Sequence, residues 1–86
     1  MDLSKEDKHA ILGENIRRNR KKINYSQEQL AKAINVSVAT ISSYETGKTA
    51  PSVKMAIKLT QIFHISLNEL YFHDPENQFP YKNASF

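Results

Sequence analysis

Apolar residues along this chain recur at intervals of three and four rather than two, the spacing of helices that bury one face. Ile11, Leu12, Ile16 and Ile23 form a first apolar set, and Leu30, Ala31 and Ile34 a second. Ile41 and Tyr44 form a third, Met55, Leu59, Ile62 and Phe63 a fourth, and Ile65, Leu67 and Leu70 close the series. Val36 falls in the break between the second and third sets. The pattern predicts helices over residues 5–22, 27–34, 38–45, 52–63 and 67–72, an all-α five-helix bundle whose apolar positions meet in one core.

The polar residues between these sets mark the same boundaries. A serine precedes each predicted helix, at Ser4, Ser26, Ser37, Ser52 and Ser66. A serine hydroxyl accepts from one of the N–H groups that a helix leaves unpaired at its start. Asp7, Gln29 and Glu69 stand three residues beyond Ser4, Ser26 and Ser66, where a side chain can reach back and complete a capping box. Pro51 disfavours helix in the residue before it and so separates the fourth helix from the third. Gly47 ends the third helix, while Asn24, Asn35 and His64 stand where the first, second and fourth must turn; asparagine and histidine are enriched among the non-glycine residues that accept positive φ. Ala31 is expected to matter for its size, since helices crossing closely need a small residue at the contact.

Residues 26–45 therefore hold two short helices separated by a sharp turn, a helix-turn-helix signal. The second of them buries Ile41 and leaves Val38, Ala39, Ser42 and Ser43 outward, a display that fits a DNA major groove. Residues 1–72 are read as one domain around this motif, and residues 73–86, with two prolines and no helical period, as an irregular tail.

Composition narrows the function. With 86 residues there is room for one core. The absence of cysteine excludes disulfides and thiolate metal sites and fits a reducing cytoplasm. No apolar run is long enough for a signal peptide or a membrane span, so a cytoplasmic protein is expected. His9, His64 and His73 are scattered, and neither a metal-binding HExxH, a glycine-rich phosphate loop nor a nucleophile constellation occurs. No enzyme, metal or cofactor is expected. The net charge of +3 says little by its total, but five of the six residues from Arg17 to Lys22 are basic. Beside a helix-turn-helix, that cluster reads as a phosphate-attracting surface.

The segments SQEQLA at 26–31, NVS at 35–37, TIS at 40–42, YETGKTAPS at 44–52 and FHISLNEL at 63–70 together resemble the phage Cro and repressor type of helix-turn-helix protein, over about residues 10–72. The departures are Asn24, Asn35 and His64, where the family often has glycine. The resemblance implies a sequence-specific double-stranded DNA-binding transcriptional regulator, a repressor, of bacterial or phage kind. Gln27 would then hold a DNA phosphate through its amide and backbone, aided by the helix dipole. Ser37, Val38, Ala39, Ser42 and Ser43 match the positions that touch bases and flanking phosphates. None offers the bidentate fork that arginine gives guanine, so Val38 and Ala39 would meet thymine methyls, and DNA shape would supply the remaining specificity. Arg20 and Glu45 match a pair that bridges the first and third helices, which leaves Arg17 and Lys21 as phosphate ligands. Lys48 and Thr49 lie in the loop that clamps the backbone.

A competing reading makes the domain an antitoxin or adaptor that uses the same fold to bind a protein partner. It draws on the apolar C-terminal segment, Leu67, Leu70, Tyr71, Phe72, Phe79, Tyr81 and Phe86. That segment could equally pack back on the bundle or form a homodimer interface through Leu67, Leu70, Tyr71 and Phe72, extended by the tail aromatics. A homodimer would set two recognition helices ~34 Å apart on DNA.

Overall fold

The computed structural model describes residues 4–73, with only the backbone of residues 5–7. It contains five helices: α1 (Lys5–Lys22), α2 (Gln27–Ile34), α3 (Val38–Glu45), α4 (Val53–Phe63) and α5 (Leu67–Phe72). No strand occurs among the described residues, and no helix there is long and apolar enough to cross a membrane.

The starts of α2 to α5 are built by the predicted serines. Ser26, Ser37, Ser52 and Ser66 are extended and accept from the backbone N–H three residues on. At Ser26 and Ser66 the box closes: Gln29 Oε1 accepts from Ser26 N at 2.7 Å, and Glu69 Oε1 from Ser66 N at 3.1 Å. Because Ser52 caps from outside the helix, with φ −64° and ψ 166°, α4 begins at Val53 rather than at residue 52. The Ser4–Asp7 box falls outside the described side chains, as do Phe79, Tyr81 and Phe86. The stops follow the expected residues too. Asn24, Asn35 and His64 adopt φ near +60°, and Gly47 lies at +80° after α3.

The core gathers Leu12, Ile16, Leu30, Ala31, Ile34, Ile41, Tyr44, Ala56, Leu59, Phe63 and Leu70, with Ile23, Val36, Met55, Ile62 and Ile65 packed around it. Two expectations need correction. Leu67, expected in the core, is 44% exposed, because the Ser66 cap makes it the first residue of α5, on the turn that faces away from the bundle. Leu70, expected both in the core and on the dimer surface, is fully buried, so its side chain contributes nothing to an outer face.

Two features that apolar spacing did not reveal set how α1 lies on its neighbours. Gly13 is buried against the end of α3, so close that an added Cβ would stand 2.4 Å from the carbonyl oxygen of Tyr44 and 2.7 Å from that of Glu45. Asn15, only 1% exposed, donates to the Leu70 carbonyl at 2.8 Å and accepts from Arg18. Asn19 donates in turn to the Asn15 carbonyl at 2.8 Å. Every buried side-chain nitrogen and oxygen among the described residues has a partner.

Candidate nucleic-acid interface

The α3 helix is held from its inner side. Ile41 and Tyr44 are buried, and burial pushes the Tyr44 phenol above its ordinary pKa, as a core role requires. The outer side carries Val38, 40% exposed, and Ala39, also exposed, with Ser42 and Ser43 half-buried one turn further on. Residues four apart are neighbours on a helix, so 38 with 42, and 39 with 43, form two short adjacent rows of small side chains. Their size lets the α3 backbone come close to whatever it faces.

The hydroxyls on and around α3 are mostly committed within it. Ser37 Oγ accepts from Thr40 N at 3.1 Å and lies 2.9 Å from Thr40 Oγ1. Ser37, expected at a base or phosphate, is thus first of all the cap of α3. Thr46 donates to the Ser42 carbonyl at 2.9 Å, closing the C-terminal end. Thr40 and Thr46 lie in the TIS and YETGKTAPS segments without a role of their own being expected, although Thr40 occupies the third helical position after the Ser37 cap, where a hydroxyl can meet the capping side chain. After α3 the backbone folds tightly over its last turn. The amides of Lys48 and Thr49 both donate to the Ser43 carbonyl, at 3.0 and 3.3 Å, and both side chains are exposed.

The basic run divides by its environment. Arg17, Lys21 and Lys22 are exposed on α1, while Arg18 is engaged by Asn15 and Arg20 turns inward. Arg20 and Glu45 come together as a bidentate ion pair between α1 and α3. Nε donates to Oε2 at 2.6 Å and Nη2 to Oε1 at 3.1 Å, with the side chains 11% and 4% exposed. The remaining arm, Nη1, donates to the Tyr25 carbonyl at 2.8 Å.

Gln27 is the first residue of α2, and its Nε2 donates to Glu45 Oε1 at 3.0 Å, a contact the sequence did not announce. The Ser26 hydroxyl satisfies Gln29 N, and Leu30 N bonds the Ser26 carbonyl. Helix geometry leaves the Gln27 and Glu28 N–H groups without intrahelical partners, at the positive end of the helix dipole. That is a place for an anion. The N-terminus of α2, the outer rows of α3 and the loop bearing Lys48 and Thr49 are thus all fixed to one ion pair and one capped turn.

Two short helices joined at Asn35, the second fastened inward and small-sided outward, define a helix-turn-helix protein. Comparison with known proteins agrees. The helix-turn-helix family's sequence pattern matches residues 16–70, and the chain belongs to that family of transcriptional regulators. It is 33% identical over 73 residues to the HTH-type transcriptional regulator DicA of Escherichia coli, covering 85% of this chain and 54% of DicA. An HTH-type transcriptional regulator of Archaeoglobus fulgidus is 39% identical over 57 residues, covering 66% of this chain and 80% of the relative. Among solved structures, the P22 c2 repressor in complex with a synthetic operator superposes with a TM-score of 0.70 at 33% identity, covering 74% of this chain and 97% of the repressor chain. The chain spans about half the length of DicA but nearly all of the P22 repressor chain in that complex.

Proposed function

We propose that this protein is a sequence-specific double-stranded DNA-binding repressor that acts in the cytoplasm without enzymatic activity and reads the major groove with α3. The observation that carries the reading is the outer side of α3, where Val38, Ala39, Ser42 and Ser43 present small side chains on a helix whose inner side is locked to the core. Its likeness to a repressor seen on an operator supports the same reading. In this arrangement Val38 and Ala39 meet thymine methyls, and Ser42 and Ser43 reach base edges or the flanking phosphates. Arg17, Lys21, Gln27, Lys48 and Thr49 hold the phosphate backbone, and Ser37 contributes from the cap. Phosphate contacts set register, whereas specificity rests on few base contacts and on DNA shape.

Retention of a pool of DNA fragments, measured at rising salt, tests this directly. Affinity falls with a log–log slope of about −0.9 for each neutralised phosphate. A folded sample that retains no fragment at low salt overturns the reading.

We further propose a homodimer through the outer side of α5. Leu67 and Phe72, 44% and 51% exposed, are the apolar side chains that support it, beside the half-buried Tyr71. A two-fold pair would bring two α3 helices to successive major grooves. Sedimentation of the protein and of its Leu67→Asp and Phe72→Asp variants, with and without DNA, decides this: a monomer in every case removes the dimer and favours a different protein at that surface.

A further inference from the structure

Glu45 presents an electrostatic problem for the proposed interface. Its carboxylate is almost wholly buried and stands one hydrogen bond from the side chain of Gln27, at the N-terminus of α2. An anion there repels the phosphate that this helix end would attract, and close to a low-dielectric interior the repulsion is poorly screened. The same carboxylate is nevertheless the point at which α1, α2 and α3 meet, through Arg20, Gln27 and Glu45 itself. A carboxylate can only accept, so the amide nitrogen of Gln27, not its oxygen, must face Glu45, and the direction of the Gln27 side chain follows.

Arg20 answers the electrostatic problem. Its guanidinium donates twice to Glu45 and once to the Tyr25 carbonyl, and its side chain is 11% exposed. Three of its donors are spent inward, and little of it reaches the surface. Within the DNA-binding reading, on which this inference rests, we propose that Glu45 is a positioning residue for the phosphate-holding end of α2, and that Arg20 serves DNA binding by neutralising Glu45 rather than by touching DNA. The charge of Arg20 is then needed only while Glu45 carries its own. A direct phosphate ligand would behave otherwise, since its loss is felt whatever stands at residue 45.

The experiment compares the full chain with its Arg20→Gln, Arg20→Lys and Arg20→Gln/Glu45→Gln variants, titrated across salt on a fragment that the unaltered protein retains, with the unfolding midpoint of each recorded. Arg20→Gln, which unmasks the carboxylate, binds about tenfold more weakly. Arg20→Lys, which keeps the charge but not the fork, stays within about threefold of the unaltered protein, and the double variant recovers to the same range with its salt slope restored. A double variant that stays weak, with a slope shallower by about 0.9, makes Arg20 a direct phosphate ligand and overturns the proposal. So does an Arg20→Gln variant that binds normally.

Should Arg20→Gln fail to fold, a cycle of Gln27→Ala with Glu45→Gln carries the test: losses in affinity that depend on one another support positioning, and strictly additive losses overturn it. If the unaltered protein retains no DNA at low salt, the DNA reading itself fails, a result distinct from every outcome above.

Discussion

The side-chain amide of Asn15, on α1, donates to the backbone carbonyl of Leu70, near the end of α5, at 2.8 Å. The two residues are 55 positions apart, and both are buried. The last carbonyls of a helix have no partner within it, and at the end of the six-residue α5 the His73 N–H closes on the Glu69 carbonyl while the Asn15 amide supplies the donor for the buried Leu70 carbonyl. The same bond ties α5, the element that carries the proposed dimer surface, to the helix that carries the basic cluster.

The first prediction follows from that bond. Asn15→Ala leaves the Leu70 carbonyl buried without a donor and lowers stability by about 1–3 kcal/mol. Asn15→Asp keeps the contact with Arg18 but costs more, because a carboxylate cannot donate and stands against the Glu69 and Leu70 carbonyl oxygens. Chemical denaturation of the three proteins checks the order, and an aspartate variant as stable as the unaltered protein refutes it.

Gly13 supplies the second. In an exposed helix, Gly→Ala gains up to ~1 kcal/mol from propensity. At Gly13 the new methyl would lie 2.4 Å from the Tyr44 carbonyl oxygen, which is backbone and cannot swing aside. Gly13→Ala therefore destabilises, by about 1–3 kcal/mol, and thermal unfolding shows the sign.

A third prediction separates the left-handed positions by residue chemistry. Asn35 and His64 sit at φ 61° and 59°. His64→Gly relieves a strained backbone and raises stability by about 0.5–1 kcal/mol. Asn35→Val places a β-branched residue in the same region and lowers stability by about 1–2 kcal/mol. Equal effects of the two substitutions would contradict the assignment.

The proposed interface gives the fourth. Lys48→Ala weakens binding to all DNA sequences alike and makes the salt slope shallower by about 0.9. Val38→Ala leaves the slope unchanged and loses about 1 kcal/mol only where a thymine methyl faced the missing methyls. Binding to a library of half-sites at two salt concentrations distinguishes them; a Val38 variant with unaltered relative affinities takes that residue out of the reading surface.

Much of the fold was legible because its boundaries are written in local chemistry. A serine cap and a left-handed asparagine act within three or four residues, so Ser26 and Asn35 could be assigned to the ends of α2 without knowing what packs beside it. What escaped depends on which helices meet. Gly13 and Asn15 have no place in an apolar pattern, and their importance appears only when α1 lies against the carbonyls of α3 and α5. Leu67 was misplaced because apolar character does not tell which way the first residue of a short helix faces. In the interface, the Arg20–Glu45 pairing was recoverable by resemblance. The Gln27 bond to the same carboxylate was not, since it arises from how α2 crosses α3.

The contact at Gly13 also bears on how such a protein can change its target. The pose of α3 is set by backbone packing at Tyr44 and Glu45, by Ile41 in the core and by the Glu45 carboxylate, none of which lies among Val38, Ala39, Ser42 and Ser43. Mounting and the proposed reading of DNA fall to different atoms of one eight-residue helix. On the proposed reading, those four residues can be exchanged as a set, in evolution or in the laboratory, and a new sequence preference acquired on an unaltered scaffold.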